Sequence, residues 1–130
     1  MNMTVIPAQA GIHTLPLHSR GKVRDNYSVV NSAGVQDRLL MVASDRISAF
    51  DVIMSEPIPG KGKLLTQMAL FWFDKLGHIC PNHLTRDAPE SVVSDAEKPY
   101  VTQRSMLVRR LKPIPVEAVV RGYLAGSGWK

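Results

Sequence analysis

The stretch DRISAFDVIMSEPIPGKGK, residues 45–63, joins a charged segment to a short strand, a proline turn and the start of a helix. Pro57 and Pro59 fix φ and remove two N–H donors, so the turn is shaped without a hydrogen-bonded ladder. Lys61 and Lys63 stand at the predicted start of the helix, where free N–H groups favour an anion. An ordinary strand–turn–helix joint with solvated lysines fits the same residues, so this stretch alone does not establish a site.

The composition is that of a globular protein. The 130 residues are 45% hydrophobic and 21% charged, which suits one domain with its own core. The net charge of +5 favours anionic partners such as phosphates or nucleotides. Basic residues are dispersed and aromatic residues make up only 6%, so we expect no dedicated nucleic-acid surface. We also expect no membrane association, because no apolar run reaches about 18 residues. The single cysteine, Cys80, excludes a disulfide framework and suits a reducing, cytoplasmic compartment.

Hydrophobic periodicity predicts an α+β fold with a mostly antiparallel sheet and one main helix. Residues 22–30 alternate apolar and polar side chains, and a turn at 31–34 leads to the apolar run 38–43, which together predict a β-hairpin. Further strands are predicted at 103–112 and 115–121.

The main helix is predicted at residues 62–77, with one apolar face packed on the core. Residues 78–100 are polar and contain prolines, which indicates a surface connection. His78 and His83 have no second cluster of ligands near them, so we expect no metal site here. Apolar side chains recur along the helix at intervals of three and four residues, at Leu64, Leu65, Met68, Ala69, Trp72 and Leu76.

Residues 1–18 contain no charged side chain other than histidine, and prolines and a glycine interrupt their apolar pieces. They have neither the charged start nor the unbroken apolar centre of a signal peptide. We therefore expect an unstructured leader at residues 1–18, followed by a domain at 19–130.

Three loops carry residues suited to binding anions or nucleotides. In Arg20-Gly21-Lys22 a basic side chain follows a backbone that can approach a phosphate, although the Walker spacing is missing and a tight turn with surface charges is an alternative. The break at residues 112–115 can present a donor and an acceptor to an adenine edge, or can simply be an edge-strand irregularity. Arg121 and Ser127 could clamp a phosphate, although a surface loop explains them equally well.

Taken together, these segments resemble the phosphoribosylaminoimidazole-succinocarboxamide synthase (SAICAR synthetase) family. The resemblance runs in consistent order from about Ser19 to the end, which makes it more specific than any one motif. It is carried by RGKVRD at 20–25, SDRISAFDVIM at 44–54, IPGKGKLLT at 58–66 and PIPVEAVVRGYLAGSGWK at 113–130.

The resemblance implies a SAICAR synthase-like, ATP-grasp-like nucleotide-binding domain and an ATP-dependent ligase of purine synthesis. Such an enzyme joins L-aspartate to carboxyaminoimidazole ribonucleotide, using ATP and Mg²⁺. It implies ATP contacts at Gly21, Lys22, Val23 and Arg24, and adenine contacts at Lys112 and Ile114. It also implies ribonucleotide contacts at Arg121 and Ser127, and a place beside the reaction centre for Asp45, Ser48 and Asp51.

Members of this family are longer than this chain, and their magnesium ligands are expected in carboxy-terminal segments that have no counterpart here. We therefore expect these 130 residues to be the amino-terminal part of such an enzyme and to be inactive alone. The alternatives are a non-catalytic remnant that binds anions or nucleotides, and a small basic nucleic-acid-binding module.

Overall fold

The computed structural model describes residues 11–129. In these residues the α+β prediction is confirmed, since an antiparallel sheet is combined with one long helix. Short 3₁₀ turns lie at Pro89–Val92, Asp95–Glu97 and Gly126–Trp129. The strands and helices are, in chain order, β1 Leu17–Arg20, β2 Arg24–Val29, β3 Arg38–Ala43, β4 Ser48–Ala49, β5 Val52–Ile53, α1 Lys61–Leu76, α2 Lys98–Val101 and β6 Ser105–Arg109.

The main sheet has the order β1-β2-β3-β6, with every neighbouring pair antiparallel. The predicted hairpin is confirmed as β2 and β3, with Tyr27 opposite Leu40. Asn31 shapes the connecting turn, because its side-chain oxygen accepts hydrogen bonds from the N–H groups of Ala33 and Val35. A separate two-stranded sheet pairs β4 with β5.

The core lies on one face of the main sheet, which we call the first face. Leu40 and Val42 point into it, because alternate residues of a strand share a face. The connection between α1 and β6, together with the segment before β1, covers this face through partly buried Leu15, Val92, Val93 and Tyr100. The buried members of the core are Ile12, Tyr27, Val29, Leu40, Val42, Val101 and Leu107.

Helix α1 lies against part of the second face, where Met41 and Ala43 project. The approach is close at the first turn of the helix. A Cβ added to Gly62 would lie 2.3 Å from the carbonyl oxygen of Ala43, so only glycine fits there. The helix thus meets the sheet through Gly62 and Thr66, which are its buried residues.

The prediction that the apolar face of this helix packs on the core is wrong within the described residues. Trp72 is 49% exposed and Met68 is 51% exposed. The cause is the docking geometry, since the contact with the sheet buries only Gly62 and Thr66 of this helix and leaves most of its large apolar side chains exposed. The exposed apolar side chains of α1 are Leu64, Leu65, Met68, Leu70, Phe71, Trp72 and Leu76.

The expected leader also needs correction. Residues 1–10 lie outside the described part, but residues 11–18 have definite structure. Ile12 is a core residue, and β1 begins at Leu17. Buried Glu97 accepts hydrogen bonds from the N–H groups of His13, at 2.5 Å, and Thr14, at 2.9 Å, and from the Thr14 hydroxyl. These contacts attach the segment before β1 to the domain, although its sequence carries no periodic pattern.

The strand predicted at residues 115–121 is not formed. Pro113 and Pro115 remove backbone donors, and residues 111–122 are exposed and form no strand. The strand predicted at residues 103–112 is confirmed over Ser105–Arg109, which is β6. Leu84 makes an isolated bridge with Val108. In the part of the chain that the structure describes, no helix is long and apolar enough to cross a membrane.

Candidate functional site

A tight turn joins β1 to β2 and forms what we call the glycine–lysine loop, residues 20–24. The N–H of Gly21 donates to the carbonyl of Arg24 at 2.7 Å, which closes the turn. The side chains of Lys22 and Arg24 are exposed, whereas Val23 is half-buried. One compact turn thus contains the four residues for which the resemblance implies ATP contacts, Gly21, Lys22, Val23 and Arg24. Two of them, Lys22 and Arg24, are exposed cations.

Arg46 lies beneath this loop and is almost fully buried. Its Nε donates to the carbonyl of Lys22 at 3.1 Å, and its Nη2 donates to the carbonyl of Gly21 at 3.0 Å. The same guanidinium binds both carboxylate oxygens of buried Asp25, at 2.7 and 3.2 Å. The sequence analysis assigned no site role to Arg46 or Asp25. The one indication was that both residues lie within segments that carry the family resemblance, 44–54 and 20–25.

The carboxylate of Asp25 also affects its neighbour Tyr27. Burial raises the pKa of the Tyr27 hydroxyl, and the nearby negative charge of Asp25 raises it further. The same Asp25 carboxylate compensates the buried positive charge of Arg46, and burying that charge without a partner would be costly.

Asp45 is directed toward the helix and away from the loop. Its carboxylate accepts hydrogen bonds from the N–H groups of Gly62, at 2.9 Å, and Gly60, at 3.3 Å. Arg104, also buried, donates to the two oxygens at 3.2 and 3.4 Å. These are the contacts of a residue that fixes the start of α1, so Asp45 does not stand with the other residues expected at the reaction centre.

Ser48 and Asp51 lie on the small β4–β5 hairpin. Its two turn residues, Phe50 and Asp51, have positive φ values of 48° and 66°, a strained conformation for side chains of their size. This turn brings the exposed carboxylate of Asp51 to 2.5 Å from the Nζ of Lys22. The hairpin therefore lies beside the glycine–lysine loop, with fully exposed Phe50 at its tip.

An open concavity of about 820 Å³ occupies the part of the second face that α1 leaves uncovered. Its floor includes Leu39 and Met41 of β3 and Asn26 of β2, and the segment after β6 forms a wall that includes Lys112. Ile114 lies beyond this wall and is exposed. Its carbonyl accepts a hydrogen bond from the N–H of Val116 at 2.8 Å. The predicted adenine connection thus borders a cleft large enough for a nucleotide.

Arg121 and Ser127 are brought together at the end of the described chain. The Nη2 of Arg121 donates to the Ser127 hydroxyl at 2.9 Å, and its side chain lies against Gly126 and Gly128. Both residues are exposed. The arrangement is a guanidinium and a hydroxyl within a glycine-rich turn, which is the chemistry that a phosphate clamp needs.

The described residues offer no ready set of ligands for a magnesium ion. Within residues 11–129 no group of three or more histidine, cysteine or carboxylate side chains converges on one point. We therefore assign no residue of this chain to a metal ion.

Comparison with known proteins adds a consistent pattern. A family model described as SAICAR synthetase matches residues 17–130. A phosphoribosylaminoimidazole-succinocarboxamide synthase from a Polaromonas species is 73% identical over 98% of this chain, and one from Methylibium petroleiphilum is 71% identical over all of it. These alignments cover 41% and 42% of the two relatives, so the chain spans about two fifths of their length.

Among solved structures, the chain is similar to a SAICAR synthase of Saccharomyces cerevisiae in complex with SAICAR. The TM-score is 0.80 at 43% identity, over 95% of this chain and 43% of the yeast chain. The sheet and helix described above therefore have a close counterpart in a solved protein.

Proposed function

This chain belongs to the SAICAR synthetase family, and we propose that it supplies the nucleotide-binding part of an ATP-dependent ligase that joins L-aspartate to carboxyaminoimidazole ribonucleotide. The observation that carries the proposal is the position of the glycine–lysine loop. Its two cations lie at one end of β2, and the open concavity begins on the same strand at Asn26. A nucleotide with its base in the concavity can direct its phosphates toward this loop.

The base is assigned to the wall formed after β6. No partner for the N–H of Ile114 is found among the described residues, and the carbonyl of Lys112 lies outside the sheet. One donor and one acceptor at this spacing match the edge of adenine. Apolar Leu39 and Met41 on the floor give the ring a surface for packing.

The chemistry proposed for the whole enzyme has two steps. The terminal phosphoryl group of ATP passes to the carboxylate of the ribonucleotide, giving ADP and an acyl phosphate. The amine of aspartate then attacks the acyl carbon, the C–N bond forms, and phosphate leaves. In-line transfer depends on positioning and on cations along the phosphates.

This chain's own residues bind and orient the reactants. Lys22 and Arg24 neutralise the phosphates of ATP, while Arg121 and Ser127 hold the phosphate of the ribonucleotide. Ser48 and Asp51 flank the reacting groups from the adjacent hairpin. Magnesium would supply further charge neutralisation, with ligands from outside the residues described here.

The assignment of Lys22 is tested in a full-length family protein that begins with this sequence. Lys22→Met should raise the KM for ATP strongly while leaving the melting temperature unchanged, because the side chain is exposed. Lys98→Met is the matched control, since Lys98 is also exposed and is paired with an aspartate at 2.6 Å, but lies far along the chain on α2. Equal ATP kinetics in the two variants would remove Lys22 from the nucleotide site.

A further inference from the structure

Among residues 11–129 two arginines are buried, Arg46 and Arg104, and of these two Arg46 contacts the glycine–lysine loop. We infer that Arg46 is a positioning residue for ATP, which turns the backbone N–H groups of Lys22 and Val23 outward to meet the phosphates. The inference rests on the proposed function, because it presumes that this loop receives ATP.

The direction of these N–H groups follows from the hydrogen bonds of Arg46. Its planar guanidinium holds the carbonyls of Gly21 and Lys22 at 3.0 and 3.1 Å, so both carbonyls point into the protein. Across a trans peptide the N–H of the next residue points opposite to the carbonyl, and the described chain contains no cis bond. The N–H groups of Lys22 and Val23 therefore point away from Arg46.

Two consecutive outward N–H groups form a concave anion site of the kind that cradles phosphates. Among the described residues neither N–H has a hydrogen-bond partner in the turns and loops. The loop also carries the exposed cation of Lys22, whose Nζ lies 2.5 Å from the carboxylate of Asp51. The loop thus presents two backbone donors and a cation.

Asp25 keeps Arg46 in place. The Asp25 side chain is 1% exposed and that of Arg46 is 7% exposed, so neither charge is satisfied by bulk water. Their two hydrogen bonds fix the plane of the guanidinium, and the loop carbonyls accept from two of its three other donors. Lysine in place of Arg46 keeps the charge but cannot bind the carboxylate and two carbonyls in one plane.

Arg104 provides the matched control. It is as deeply buried as Arg46 and also binds an aspartate, Asp45, but its described hydrogen bonds reach no part of the loop. Replacing it with lysine should disturb the interior to a similar degree without changing the direction of the loop N–H groups. Any effect specific to the loop is then the difference between the two variants.

The experiment compares Arg46→Lys, Arg104→Lys and Lys22→Met in a full-length family protein that carries this sequence. Arg46→Lys should raise the KM for ATP by about tenfold or more, with the KM for the ribonucleotide unchanged, because misdirected donors weaken phosphate binding. Arg104→Lys should lower the melting temperature comparably and leave the KM for ATP within about twofold. Hydrogen exchange at the Gly21 amide should accelerate in Arg46→Lys alone, since that amide closes the turn.

The outcomes separate this inference from the proposed function. If Lys22→Met raises the KM for ATP but Arg46→Lys behaves like Arg104→Lys, the loop binds ATP and the positioning role of Arg46 is wrong. If Lys22→Met leaves the KM for ATP unchanged, the proposed function itself is wrong at this loop, and the inference that rests on it is wrong as well. Should Arg46→Lys not fold, Asp25→Asn replaces it, since the amide keeps the shape but loosens the guanidinium. Faster exchange at Gly21 with a raised KM for ATP then supports the inference, and an unchanged KM overturns it.

Discussion

Replacing Asp45 with alanine tests whether this residue is structural, as its contacts indicate, or belongs to the reaction centre. In the folded chain its carboxylate accepts two hydrogen bonds from Arg104 and two from the backbone at the start of α1. Asp45→Ala leaves the guanidinium of Arg104, which is 2% exposed, buried without its partner. Breaking a buried ion pair in this way costs about 3–5 kcal/mol.

That loss is large beside the total stability of a domain, which is about 5–15 kcal/mol. Urea unfolding of the 130-residue chain, followed by circular dichroism, measures it directly. Asp87→Ala is the control, because Asp87 is exposed and its ion pair with Arg38, at 3.0 Å, should contribute at most about 1 kcal/mol. If Asp45→Ala should unfold the chain entirely, Asp45→Asn retains the acceptor oxygen and should give a smaller loss.

A cost for Asp45→Ala below about 1 kcal/mol, equal to that of Asp87→Ala, would refute the structural role. That result would favour the place beside the reaction centre that the family resemblance implies for Asp45. The double variant Asp45→Leu/Arg104→Met adds a second check. Removing both charges should be less destabilising than removing Asp45 alone, since no unpaired ion remains.

Three further predictions concern stability. Gly62→Ala should destabilise the chain by about 1–3 kcal/mol in urea titration, although alanine favours helices, because its Cβ would lie 2.3 Å from a backbone oxygen. The control is Gly122→Ala, whose Cβ would lie in open space and should change the stability by less than about 0.5 kcal/mol. Trp72→Ala should cost about 2 kcal/mol or less in this chain, since the ring is 49% exposed, and a full loss of about 3–5 kcal/mol would show that α1 is covered after all. For Glu97, desolvation raises the pKa but hydrogen bonds from Thr14, His13 and Ser94 outweigh it and hold the pKa well below its usual range. The Glu97 contacts should therefore stabilise the chain fully above about pH 4.3, and this stabilisation should be lost as the pH falls toward the lowered pKa. The melting temperature of Glu97→Gln should then approach that of the unsubstituted chain at low pH. A constant difference between the two melting temperatures down to about pH 2 would contradict this prediction.

The local elements could be predicted from the sequence because their signals are local. The alternation at residues 22–30 and the apolar run at 38–43 identified the β2–β3 hairpin, and the spacing of apolar residues identified α1. Hydrophobic periodicity identifies an apolar face, but it does not show which other surface covers that face. Helix α1 docks through Gly62 and Thr66, neither of which belongs to its apolar pattern.

The candidate site was predicted only in part, for a related reason. Residues that are neighbours in the chain, such as Gly21 and Lys22, were nominated together and form one turn. The ion pair beneath them joins Asp25 to Arg46 across 21 positions, and a single sequence gives no sign of such a pairing. Asp45 and Arg46 are adjacent charged residues of one motif, and the sequence does not distinguish their roles. In the structure Asp45 fixes the start of α1, whereas Arg46 contacts the glycine–lysine loop.

The proposed function requires that this domain supports ATP-dependent ligation once the rest of the enzyme is present. The most direct measurement is product formation from ATP, L-aspartate and carboxyaminoimidazole ribonucleotide. It compares the 130-residue chain with the same chain continued by the remainder of its Polaromonas relative. We expect succinocarboxamide product from the continued chain and none from the 130 residues alone. In the continued chain, Arg121→Ala should impair use of the ribonucleotide more than use of ATP. Failure of a folded, continued chain to form product, or robust turnover by the purified 130 residues, would contradict it.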